Sequence, residues 1–202
     1  MPAYLDRLAQ FVCDTRLEVL ETSTVNAAKS VVLDTIGAML AGSRLPENTK
    51  LAQWAANTGG QGPATLLGQN GSAPAVFAAL SNATAGVALE MDEGNRHGGG
   101  HAAIHVIPAA LAVAEERGSS GKEFLESVIA GYEVTSRIGT GTQVKKSVHS
   151  HGTWGTIGSA VVTAKLMGFD EAHTTNAINM AASMSPANTW KPCLEGATIR
   201  NL

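Results

Sequence analysis

The sequence predicts an all-α domain, and three observations carry that prediction. Alanine supplies about one residue in six while aromatics reach only 4%, so the apolar content is small and aliphatic and suits closely packed helices. Apolar residues recur at helical rather than alternating spacing through most of the chain. Glycine, proline and small polar residues fall at the joints between those stretches. With 44% hydrophobic and 15% charged residues and a mean hydropathy of +0.05, the composition excludes disorder. The 202 residues are read as a single domain spanning 1–202, long enough to bury a substantial core.

Residues 2–11 read as a short amphipathic helix, with Leu5, Leu8 and Val12 near one face. Thr22, Ser23 and Thr24 offer N-cap oxygens to a long helix. In it Val25, Ala28, Val32, Ile36 and Leu40 recur at helical spacing, and Gly42 closes it. Pro46 fits the first position of the next helix, where its missing N–H costs nothing, and Gly59-Gly60 ends that helix. Residues 62–68 (GPATLLG) are the clean strand candidate, and residues 72–91 follow as a buried helix, apolar nearly all round. Helices over 107–117, 121–138, 154–167 and 170–184 bring the total to about eight. Gly118 and Gly168 serve as stops and Asp170 as an N-cap.

Several function classes drop out on composition. A net charge of -3 and a pI near 6.1 leave no basic footprint for nucleic acid. The longest weakly polar run, 102–114, contains His105 and Pro108 and is too short to span a bilayer. Asp6 and Arg7 interrupt any leader-like apolar stretch at the N-terminus. Cys13 and Cys193 alone cannot build a disulfide framework, a four-thiolate zinc site or a cysteine-ligated iron–sulfur cluster. A reducing, cytoplasmic location is therefore expected.

Two glycine-rich connectors break the helical pattern, residues 90–108 (EMDEGNRHGGGHAAIHVIP) and 147–158 (SVHSHGTWGTIG), and they hold five of the six histidines. Clustering of the side chain that titrates near neutrality is the strongest functional signal in the chain. His97, His101 and His105 stand at i, i+4 and i+8, but Gly98, Gly99 and Gly100 break a continuous helix through the first pair. No glutamate follows the first histidine, so the zinc-hydrolase signature is missing and no metal site is expected. Asp92 and Glu93, read as the end of the 72–91 helix, oppose its dipole, which hints that one of them is recruited to orient an imidazole. Gly152, Gly155 and Gly158 allow either anion binding at a helix N-terminus or a tight helix crossing. No strand precedes these glycines and no GK[ST] follows them, so a nucleotide cofactor is not expected. Beyond Lys165 the cations are Lys191 and Arg200, either of which suits a substrate carboxylate.

At these segments the sequence resembles the MmgE/PrpD family, which includes 2-methylcitrate dehydratase, cis-aconitate decarboxylase and iminodisuccinate epimerase. The matching text is DTIGAMLAGS (34–43), ATLLG (64–68), ALEMDEGNRHGGGHAAIHVIPAALAVAE (88–115), GYEVTSRIG (131–139), HSHGTWGTIGSAVVTAKLMGFD (149–170) and EGATIRNL (195–202). The resemblance implies cofactor-free proton transfer next to a carboxylate of a small di- or tricarboxylic acid, by a dehydratase-like lyase or an epimerase. It implies His101 and His149 as the acid/base pair, Asp92 as the orienting acid, and Arg200 as a carboxylate clamp, with Lys191, Arg96 and Gly152 assisting. The chain departs from the family pattern at His101-Ala102-Ala103, at Gly94-Asn95, and at Arg200 where a lysine is usual. Because a guanidinium cannot donate a proton near neutral pH, these departures argue against decarboxylation of cis-aconitate itself. Family members are roughly twice this length, so a second chain or a C-terminal half with an α/β lid is expected to complete the site. A homodimer through the helical domain is implied as well; a non-catalytic dimerisation scaffold is the competing class.

Overall fold

The computed structural model describes residues 3–150 and 152–196, and their regular structure is nine α-helices, a 3-10 turn (Leu17–Val19) and one short hairpin. Helix α1 (Ala3–Asp14) buries Leu8 and Val12 in a cluster with Val134, Val161 and Ile178. Helix α2 (Thr22–Gly42) has Glu21 as its N-cap residue and no side-chain capping bond, so Thr22, Ser23 and Thr24 form its first turn rather than its cap. Helix α3 (Pro46–Gly59) starts at the proline and stops at the glycine pair, as the sequence predicts.

The strand candidate contracts to β1 (Ala64–Thr65), paired antiparallel with β2 (Ser72–Ala73). Because β2 and Pro74 take residues 72–74, the helix read over 72–91 is shorter at both ends: α4 runs from Ala75 to Val87 (Ala75–Val87). A proline biases the residue before it toward extended backbone, which accounts for the late start.

Helix α5 (Ala102–Arg117) begins five positions earlier than its periodicity suggests. Its first seven residues are all buried, so they show no amphipathic alternation to read. Pro108 therefore lies inside the helix, forgoing one i→i−4 bond. Gly118 ends α5 in the left-handed region at φ 65°. Helices α6 (Gly121–Thr140), α7 (Gly155–Leu166) and α8 (Glu171–Ser183) follow, with Asp170 capping α8 by accepting from His173 N–H at 2.8 Å. A short α9 (Lys191–Leu194) completes the described residues.

Helices α5, α6 and α7 pack on one another through glycines. A Cβ on Gly158 would stand 2.1 Å from Thr135 Oγ1 and 2.9 Å from Val106, and one on Gly131 would stand 2.5 Å from Val162. Of the two readings open for the 152–158 glycines, the tight crossing is the one these contacts support at Gly158. Ile104, Ile107, Val128 and Val162 form the central core with Met39. Among the described residues no helix is long and apolar enough to cross a membrane.

Candidate active site

Helix α4 ends at Val87, so Asp92 lies five residues beyond it and its placement owes nothing to the helix dipole. What holds it is His101, whose Nδ1 stands 3.0 Å from Asp92 Oδ2; the carboxylate is 2% exposed and the imidazole 32%. The Asp92 carboxylate, helped by the Glu93 backbone carbonyl, raises the His101 pKa above its ordinary value against the opposing effect of burial.

The next residues fix that imidazole from behind. Glu93 Oε2 accepts the Ala103 N–H at 3.1 Å, in the first turn of α5, where His101 itself supplies no side-chain cap. Glu93 Oε1 accepts from the Tyr132 hydroxyl on α6 at 2.5 Å. Burial, reinforced by Glu93, pushes the Tyr132 pKa up and keeps that hydroxyl a donor. Asn95, a departure from the family pattern, pins the turn: it accepts from Gly98 N–H at 2.8 Å and donates to Ser136 Oγ at 2.7 Å. Glycines on both sides let this turn lie flat on α6: a Cβ on Gly139 would stand 2.2 Å from Gly98 O, and one on Gly98 3.0 Å from Ser136 Cα.

His105, one turn further along α5, is buried, and its Nε2 accepts the Gly152 N–H at 3.2 Å. That bond leaves the ring proton on Nδ1. Burial lowers its pKa to about 4, so the ring is neutral at pH 7. A Cβ on Gly155 would stand 2.3 Å from the ring, which makes this glycine the slot that accepts it.

His149 packs against Trp190 with ring centroids 4.0 Å apart, and its N–H donates to Asn188 O at 2.8 Å. Burial first, then the charge of His101, lowers its pKa. The two expected acid/base histidines therefore lie within electrostatic reach of each other. His151 and Arg200 lie outside the described residues.

A cleft of about 670 Å³ opens beside His101, lined by Arg96, His101, Lys145, Lys146, Ser150 and Trp190 among others; of the two expected acid/base histidines His101 is among its described lining residues and His149 is not. Of the expected carboxylate-binding groups, Arg96 lines it. Gly152 spends its N–H on His105, and Lys191 lies outside the cleft with Nζ 3.8 Å from Glu195 Oε1. Sequence reasoning passed over Lys145 and Lys146; the signal was a Lys-Lys pair three residues before His149 in a chain with few cations. Among the described residues no group of three His, Cys, Asp or Glu is arranged to hold a metal ion.

The family model for the MmgE/PrpD N-terminal domain matches residues 6–191. A cis-aconitate decarboxylase-like protein (oryM) of Aspergillus oryzae is 24% identical over 189 residues, covering 88% of this chain and 39% of that protein. A cis-aconitate decarboxylase of Aspergillus terreus is 26% identical over 175 residues, covering 82% of this chain and 36% of that protein. The chain thus spans less than half the length of the curated relatives it matches.

Proposed function

Because this chain belongs to the MmgE/PrpD family, a lyase-like enzyme family, we propose that it supplies acid/base groups for a cofactor-independent lyase or isomerase acting on a small di- or tricarboxylic acid. One observation carries the reading: a buried carboxylate 3.0 Å from a partly exposed imidazole at the edge of a cation-lined cleft. Such a carboxylate orients the ring and raises its proton affinity. A ring so tuned suits taking a proton from the carbon next to a substrate carboxylate.

In this proposal His101 removes that proton, and the electron pair left on carbon delocalises into the adjacent carboxylate as an enolate, which the cleft's cations stabilise. In an elimination, the pair then forms the carbon–carbon double bond while hydroxide leaves the neighbouring carbon and takes the proton now held by the His101 imidazolium, departing as water. In an epimerisation, the proton returns on the opposite face. His149, kept toward its neutral form by burial, is a second base able to take up a proton, and Asp92 is a positioning residue. At 24% and 26% identity the relatives' named activity does not fix the substrate. Turnover in this reading also draws on the region the relatives carry beyond the matched stretch, or on a second chain. Leu33 and Val76, 74% and 78% exposed on α2 and α4, belong to the surface a second copy or partner would cover.

The test is NMR in deuterated water on the chain together with any partner that copurifies, using citrate-like, tartrate-like and aspartate-like acids. Loss of water marks a dehydratase; deuterium uptake without net loss of water marks an epimerase. Absence of both turnover and exchange with every acid would sink the proposal and favour the scaffold class, whereas exchange that persists in His101→Gln would overturn the role given to His101.

A further inference from the structure

We infer that Lys145 and Lys146 are the specificity-determining wall of the cleft, binding the carboxylates of the substrate that do not react while His101 works at the reacting carbon. The inference rests on the proton-transfer reading for His101, and on separate observations for the lysines.

In a chain of net charge -3, three cations, Arg96, Lys145 and Lys146, line one cleft beside His101, and no Asp or Glu is among its described lining residues. Elsewhere in the molecule Lys122 pairs with Glu18, Arg137 with Glu133 and Lys191 with Glu195. Among the described residues neither Lys145 nor Lys146 has a carboxylate within ion-pair distance. Like charges gathered without a counter-charge repel one another, and that repulsion is relieved when an anion enters.

The backbone under the pair is held. Val148 N–H donates to Lys145 O at 2.8 Å and closes a turn. Val148 bridges to Thr189, and the next residue, His149, donates to Asn188. The lysines thus project from a turn stitched to the 188–190 segment, while Arg96 comes from the turn pinned by Asn95. Two separately anchored segments place their cations on one cleft. A monocarboxylate meets one of these walls; an acid with two or three carboxylates meets both, so affinity is set by carboxylate number.

Isothermal titration calorimetry with tricarballylate, succinate and acetate, none of which carries a leaving group, tests this. Affinity should rise with the number of carboxylates and weaken with added salt. The double variant Lys145→Gln/Lys146→Gln should bind tricarballylate at least tenfold more weakly, about 1.4 kcal/mol, while Lys50→Gln on α3 leaves binding unchanged. Binding by the double variant within twofold of the parent, or no binding of any of the three acids by the parent, overturns the assignment. Failure of the proton-transfer reading looks different: tricarballylate would still bind through the lysines, with no deuterium exchange on any acid.

Discussion

The loop that ends at His101 and the helix that starts at the next residue and carries His105 place two imidazoles four residues apart and use them in opposite ways. In the loop, a buried carboxylate sits 3.0 Å away, the ring is partly exposed, and its proton affinity is raised. In the helix, the ring is buried in a glycine slot, accepts a backbone N–H, and burial drives its pKa down to about 4. Both come from one glycine-rich histidine motif, so residue type alone does not separate a chemical group from a packing group. The difference lies in the partner: a carboxylate stabilises the imidazolium, whereas a donated N–H requires the neutral ring.

Exchanging the roles experimentally should show the contrast most strongly at His101. His101→Gln should reduce turnover by about 10²–10⁴-fold, the usual worth of a general acid/base group, with a smaller loss of stability than at His105. His105→Ala should do the reverse, destabilising the fold by about 2–4 kcal/mol through a cavity and an orphaned Gly152 N–H. Urea unfolding monitored by circular dichroism separates the two, and equal loss of stability in both variants would erase the distinction.

pH should pull the two rings apart. The His105 pKa of about 4 lies below its ordinary value near 6.5, so its contribution to stability is full above pH 6.5 and is lost as pH falls toward 4. That loss amounts to about 3 kcal/mol. The raised His101 pKa works the other way, with a contribution present below the ordinary value and lost as pH rises through the folded one. NMR titration of the ring protons should find the two midpoints on opposite sides of 6.5, and Asp92→Asn should move the His101 midpoint down. The smallest effect is expected at the slot: Gly155→Ala should cost about 1–3 kcal/mol by overpacking the His105 ring, read as a lower thermal midpoint.

Much of the scaffold was legible where local chemistry decides it. Pro46, Gly118 and Asp170 mark helix ends because each satisfies or removes a specific backbone group, and the structure keeps all three. The start of α5 was not legible, since a turn buried on all sides leaves no polar face to count from. The Asp92–His101 pairing was approached for a reason that fails, the dipole of a helix that ends earlier, although the expectation that an acid meets an imidazole matches the geometry. Lys145 and Lys146 escaped notice because an exposed lysine pair reads as solvated surface until the fold shows what it faces. The resemblance points Gly152 at a ligand, but the direction of an N–H depends on the tertiary neighbour it finds, here His105.

Helix α5 joins the site directly to the part of the molecule with the most to lose on opening. Ala103 through Ile107 are nearly or fully buried, and Ile104, Val106 and Ile107 belong to the central cluster. Amides in such a segment exchange with solvent only when the whole unit unfolds, while the edge of a surface turn exchanges through small local fluctuations. Since Glu93 ties the first turn of α5 to Tyr132 on α6, the residue after which the helix starts, His101, is anchored to the last region to open. The amides of residues 103–107 should therefore exchange far more slowly than those of the loop that carries Asp92, and the imidazole is set at the border between the two regimes.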